Sequence, residues 1–266
     1  MIDRFRLPLT FDVAPLRADL EALSAAGWIP HFNTGFYEGD WSGVALRQPI
    51  DGTGGLSATG QTFADTPLLT LCPAVREVLA ALHCPLRSVR LLRLGAGARI
   101  REHRDYDLGH EQGEVRLHVP ILTSPGVDFH LRNRRVEMAP GETWYLDLGQ
   151  PHRVFNGGAT DRVHLVVDVA VNDWLRGLIP FEAVDPFRVE PPAMDAEDAA
   201  ANLVRFQALV AEDPNLHALL RDTTDRDLFV EETIRLGMEH DLPFTTEVVR
   251  AALADQRRRW NAQWMK

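Results

Sequence analysis

The stretch "EVRLHVPIL", residues 114–122, alternates apolar and polar side chains along its length. Successive side chains of an extended strand point to opposite faces. Val115, Leu117, Val119 and Ile121 therefore share one face, and Arg116 and His118 share the other. A second stretch, "RVHLVVDV" (162–169), repeats the pattern: Val163, Leu165, Val167 and Val169 on one side, Arg162, His164, Val166 and Asp168 on the other. Two strands thus each carry an arginine and a histidine two residues apart, opposite a core-like face. On a single sheet that polar face would be solvated. In a double-sheet barrel it can line the mouth.

Working outward, short alternating runs fill residues 87–172. "SVRLLRL", "ARIREHRD", "VDFHLR", "RRVEM", "TWYLDL" and "HRVFN" are separated by the turn signals "GAG", "SPG", "APGE" and "NGGAT". Many short strands at close spacing predict an antiparallel sandwich or barrel. Upstream, Asp12, Pro15 and the stripe Leu16, Leu20, Leu23 predict a helix over 12–26. Residues 39–49 read as a strand, 50–66 as a Gly/Ser/Thr-rich loop able to act as a lid, and 73–84 as a second helix. A proline-rich linker is expected over 179–198, dividing a first domain (1–178) from a helical one (199–266) of three or four helices.

The chain has 266 residues, 45% of them hydrophobic, enough for one substantial core and a smaller appendage. Its formal net charge of −10 gives no general attraction to nucleic acid or to an anionic membrane. Cys72 and Cys84 lie outside any CxxC pattern, so reduced thiols are expected rather than a disulfide framework or zinc ribbon. No apolar run has signal-peptide or membrane-span length, and the expected compartment is the cytoplasm.

The chemistry concentrates in four residues. His103-x-Asp105 puts an imidazole and a carboxylate on the same side of an extended segment, and His152 follows a later turn, "LGQPH". Two histidines and a carboxylate occupy one face of octahedral ferrous iron and leave three positions for a bidentate keto acid and dioxygen. Ten residues beyond His152 stands Arg162, whose planar fork matches a carboxylate as lysine cannot. HxD alone is a weak signal; the joint pattern inside an all-β segment is strong.

Residues of about 88–172 resemble the aspartyl/asparaginyl β-hydroxylase family of iron(II)- and 2-oxoglutarate-dependent dioxygenases. The matching text is "HRD", "VRLHVPI", "GETWYLDLGQPHRVFN" and "RVHLVVDV", with "GDWSGVALR" similar to the family's N-terminal part. The resemblance implies a mainly β fold with flanking helices, a double-stranded β-helix (a cupin-like jelly roll), followed here by a small α-helical domain. It implies that His103, Asp105 and His152 bind Fe(II), that Arg162 pairs with 2-oxoglutarate, and that Arg116 and His118 add co-substrate contacts. It implies consumption of O2, release of succinate and CO2, and hydroxylation of an amino acid that is free, carrier-tethered or within a peptide.

Substrate recognition is expected from Arg93, alternatively a surface arginine, and from Trp41, alternatively core. His164 reads as a core histidine or one supporting the site; His31, His110 and His130 read as structural or exposed. The C-terminal text "F-x-x-L-V-x-x-D-P-x-L", "LPFT-x-E-x-V-R-A-A-L" and Trp260 resembles the helical domain of nitrogen-fixation-associated leader peptides. That resemblance implies a peptide or carrier partner; the alternative is a helical cap on the barrel. The competing function is a catalytically silent binding module on the same scaffold.

Overall fold

The computed structural model describes residues 1–23, 27–51, 55–185 and 190–264, with side chains as far as residue 256. The chain forms two compact units, Met1–Asp185 and Pro186–Lys266. In the first, β1 (Arg4–Thr10) and α1 (Val13–Ala22) precede four short strands, β2 (Ile29–Pro30), β3 (Tyr37–Glu38), β4 (Trp41–Pro49) and β5 (Phe63–Asp65), and then α2 (Pro73–Ala80). The barrel strands follow: β6 (Leu86–Leu94), β7 (Arg99–His103), β8 (Glu114–Leu122), β9 (Val127–Leu131), β10 (Arg134–Arg135), β11 (Glu142–Leu146), β12 (His152–Asn156) and β13 (Arg162–Ala170), closed by α3 (Asp173–Leu178).

The strands make two antiparallel sheets. One has the order β1-β11-β8-β13-β6-β4-β2 with β5 beside β4, the other β10-β9-β12-β7-β3. From β6 to β13 the chain passes back and forth between them, and the inner orders β6-β13-β8-β11 and β7-β12-β9-β10 are those of a double-stranded β-helix. β13 sits between β8 and β6, pairing Asp168 with Arg116 and Val166 with His118 on one side and His164 with Leu92 on the other.

The alternation seen in the sequence decides the layers. Val115, Leu117, Val119 and Ile121 pack with Val163, Leu165, Val167 and Val169 against Leu16, Val75 and Leu79 of the helices. The apolar face thus points out of the barrel, under the helices, and the polar face of β8 and β13 points in. Leu117 is fully buried at the centre of this layer. Leu117→Ala is expected to lower stability by about 2–5 kcal/mol, because the surrounding strands relax only partly around the lost side chain. Urea denaturation reads it; a loss below about 1 kcal/mol would mean that the layer is not close-packed there.

Some expectations shift at their edges. α1 is capped by Asp12, whose carboxylate accepts from Ala14 N, but it ends at Ala22, and 24–26 lie outside the described residues. α2 ends at Ala80 rather than 84, since Pro85 disfavours helix just before it. The 50–66 loop carries β5 paired to β4, while 52–54 lie outside the described residues. Residues 179–185 pack with the first unit instead of opening a linker: Ile179 and Phe181 are buried in its core, and buried Asp185 accepts from Arg132. Residues 186–189 lie outside the described residues.

The second unit holds α4 (Ala196–Glu212), α5 (Pro214–Arg221), α6 (Arg226–Glu239) and α7 (Thr246–Trp264). Asp195, Asp213 and Asp225 cap the first three by accepting from first-turn N–H groups. Leu203, Phe206, Leu220, Ile234 and Phe244 form its core. The side chain of Trp260 lies outside the described residues. No described helix is long and apolar enough to cross a membrane.

Candidate metal centre

The site lies at one mouth of the barrel, in a cavity of about 460 Å³. His103 ends β7, His152 opens β12, and the two are directly opposed in the antiparallel register. Their ring centroids are 4.2 Å apart. Asp105 follows on the turn after β7, where its N–H donates to Leu148 O at 2.8 Å. One ligating atom from each of His103, Asp105 and His152 lies within 4.8 Å of the others.

Both imidazoles are held the same way. His103 Nδ1 lies 2.8 Å from Arg101 O, and His152 Nδ1 lies 3.0 Å from Gln150 O. A carbonyl only accepts, so Nδ1 carries the proton and each Nε2 keeps its lone pair for a ligand. Burial, then the neighbouring His103, pushes the His152 pKa down to about 4, which keeps it neutral. Asp105 is ionised: burial works against it, but the Arg116 guanidinium prevails and holds its pKa below the usual range.

Arg116 spans two carboxylates. Its Nη1 donates to Asp105 Oδ2, while Nε and Nη2 donate to Asp168 Oδ1 and Oδ2 at 2.6 and 3.0 Å. Asp168 is fully buried and also accepts from Arg90 Nη2 and Ser88 Oγ, each at 2.6 Å. Burial opposes its charge, but Arg116 and Arg90 hold its pKa far down.

Arg162 differs. It is buried and lines the same cavity, yet no carboxylate pairs with it among the described residues. Its Nη2 donates to His164 Nδ1 at 2.8 Å, and its Nε is buried without a partner. Burial pushes its pKa down to about 9, so the cation persists at neutral pH in a place that lacks its anion. His118, also buried, sits beside it with Nδ1 3.4 Å from His164 Nδ1 and Nε2 unpartnered. Burial and the Arg162 charge keep His118 neutral. Two imidazoles, a carboxylate and no thiolate fit ferrous iron, and an orphaned guanidinium fits the far carboxylate of a dicarboxylic acid.

Residues 11–171 match the family model described as aspartyl/asparaginyl beta-hydroxylase. The chain belongs to that family. Over 181 residues it is 30% identical to an L-proline cis-4-hydroxylase of Rhizobium meliloti (strain 1021), a match covering 63% of this chain and 61% of that one. The chain thus spans less than two thirds of that relative's length. Among solved structures it is similar to a prolyl-4-hydroxylase of Pseudomonas putida at 14% identity, covering 65% of this chain and 94% of that one, with a TM-score of 0.42. It is also similar to an oxidoreductase of the 2OG-Fe(II) oxygenase family from Burkholderia pseudomallei at 16% identity, covering 64% and 88%, with a TM-score of 0.43.

Of the sequence-derived candidates in this hydroxylase-family site, His103, Asp105, His152, Arg116, His118, Arg162 and Trp41 all line the one cavity. Arg93 does not. It shares the outer face of β6 with Val89 and Leu91, where it pairs with Asp40 at 3.1 Å and stacks over Trp28. Strand alternation hands the inward position to Arg90, which lines the cavity and donates to Leu56 O at 3.1 Å. The alternation of "SVRLLRL" puts Arg90 on the face opposite Val89, Leu91 and Arg93, and the closure of the sheet makes that face the inner one. His31 was missed as well. It is buried in the cavity wall, its ring stacked 3.5 Å from that of Trp41. Burial pushes its pKa down to about 3, so the ring is neutral. The short stretch around it carries no periodicity that would point it inward.

Proposed function

We propose that this chain is an Fe(II)- and 2-oxoglutarate-dependent dioxygenase that hydroxylates an amino acid, releasing succinate and CO2. One observation carries the reading. A single cavity holds three ligating atoms within 4.8 Å of one another and a buried guanidinium without a carboxylate partner among the described residues. His103, Asp105 and His152 would hold the metal, and Arg162 would fork onto the far carboxylate of 2-oxoglutarate. Bound there, iron and its keto acid supply the oxidising power needed to break an unactivated C–H bond.

The chain's own contribution is positioning. The Nδ1 bonds fix both histidine rings. His118, neutral and buried beside Arg162, lines the same cavity and would add a further contact to the co-substrate. Trp41 and the 57–60 part of the loop wall the cavity and limit water. A substrate carboxylate would meet Arg90, not Arg93. The proline hydroxylase relative supports a small amino acid as substrate and puts L-proline first in any panel.

A second reading concerns the helical unit, which lies outside the family match. An apolar cavity of about 400 Å³ lined by Leu203, Phe206, Val210 and Leu220 favours recognition of a peptide or carrier that brings the substrate.

Anaerobic addition of Fe(II) and 2-oxoglutarate to the whole chain is expected to produce the visible charge-transfer band of the chelate. Admission of air with a panel of free amino acids should then give succinate and a product heavier by one oxygen atom. A band without amino-acid-stimulated succinate would favour the peptide or carrier reading. Absence of the band in folded, metal-loaded protein would overturn the dioxygenase proposal.

A further inference from the structure

The metal-ligand carboxylate does not stand alone in the barrel. Asp105 is tied through Arg116 to Asp168, a carboxylate that touches none of the three candidate ligands directly. The register explains the arrangement. Asp168 and Arg116 are direct cross-strand partners on β13 and β8, and Asp168 is locked from the other side by Ser88 and Arg90 of β6. Asp168 is therefore held by the three central strands of the larger sheet. Asp105 is on a turn.

The donors of Arg116 are divided. Two N–H groups lie on Asp168 and one reaches Asp105 Oδ2. Asp105 Oδ1 is left facing His103, with 3.7 Å between it and Nε2. A guanidinium not shared in this way frequently pairs with a carboxylate through both oxygens. The sharing keeps that from happening.

We infer that Asp168 is a positioning residue for the metal site: by holding two donors of Arg116 it limits that arginine to one oxygen of Asp105 and leaves the other for the metal. The inference rests on the metal reading of His103, Asp105 and His152. In the absence of the Asp168 charge, Arg116 swings its fork onto Asp105, which then competes with the metal. Arg116 is the direct support of Asp105 and Asp168 acts through it; loss of a direct support costs about 10–100-fold in metal affinity.

Co(II), whose visible bands report coordination geometry, is the probe. Titrated into the whole chain, Asp168→Asn is expected to bind it about 10–100-fold more weakly than the unsubstituted protein, with an altered band envelope. The double variant Asp168→Asn/Arg116→Gln removes the capturing fork together with its anchor. It should bind Co(II) several-fold more tightly than Asp168→Asn alone, a reversal that simple loss of packing does not give. If Asp168→Asn does not fold, Asp168→Ser carries the test: it also removes the charge that holds two donors of Arg116, and affinity should fall by the same order. Unchanged Co(II) affinity and spectrum in folded Asp168→Asn, or in folded Asp168→Ser, would overturn the inference alone. A double variant no tighter than the single would also overturn it. Failure of the unsubstituted protein to bind Co(II) would instead bring down the metal reading and this inference with it.

Discussion

Replacing His152 by alanine is expected to abolish turnover, by at least about 1,000-fold, while the barrel stays folded. His152 is one of only three ligating groups in the cluster, and it opposes His103 across β12 and β7. Removal of a direct ligand should cost more metal affinity than the ~10–100-fold typical of its outer supports. The fold should tolerate the change because the ring is neutral, its pKa pushed down to about 4 by burial and then by His103, so no buried charge loses its counter-ion. Circular dichroism and a Co(II) titration separate the two effects. Retention of more than a tenth of the activity in the alanine variant would remove His152 from the metal site.

The second large effect belongs to Arg162. Arg162→Ala should raise the KM for 2-oxoglutarate by about 100-fold or more. The magnitude follows from two charge-assisted hydrogen bonds made in a buried place, about 3 kcal/mol or more together, and about 1.4 kcal/mol is tenfold. The same substitution should leave the stability of the ligand-free protein unchanged or raise it. An arginine with a structural ion pair behaves oppositely, because its loss strands a buried carboxylate. Arg162 has no such partner among the described residues; its Nη2 rests on the neutral His164 ring, and burial pushes its pKa down to about 9. Arg162→Lys should fall between the two in KM, since an ammonium lacks the fork. Steady-state kinetics in 2-oxoglutarate and a melting curve check both halves. An unchanged KM, or a KM change accompanied by severe destabilisation, would defeat the assignment.

Both expectations follow from what the barrel does to an alternating sequence. The apolar half of "EVRLHVPIL" lies under α1 and α2, and its polar half faces inward with that of "RVHLVVDV". An inside-polar barrel reverses the usual assignment of the hydrophobic face to the interior. It works because the helices supply a second apolar layer outside the sheet. The inner polar groups then settle largely with one another: Arg116 and Arg90 with Asp168, His118 with His164. Arg162 remains a buried cation without a carboxylate among the described residues.

The sequence by itself determined the period of each strand, the two faces of β8 and β13, and the residue types able to hold iron and a dicarboxylate. Those properties are local: a period-2 alternation and the ligand chemistry of His, Asp and Arg hold wherever the strand is placed. Only the tertiary structure decided that Arg90 rather than Arg93 enters the cavity, that His31 stacks on Trp41 in its wall, and that Arg116 divides its donors between Asp105 and Asp168. The alternation of β6 says that Arg90 and Arg93 take opposite faces, but which face is inward depends on where the sheet closes. Whether a guanidinium is spent on a neighbour or left for a ligand depends on cross-strand register, which brings residue 116 opposite residue 168 across a separation of 52 positions. No local pattern encodes a pairing at that distance.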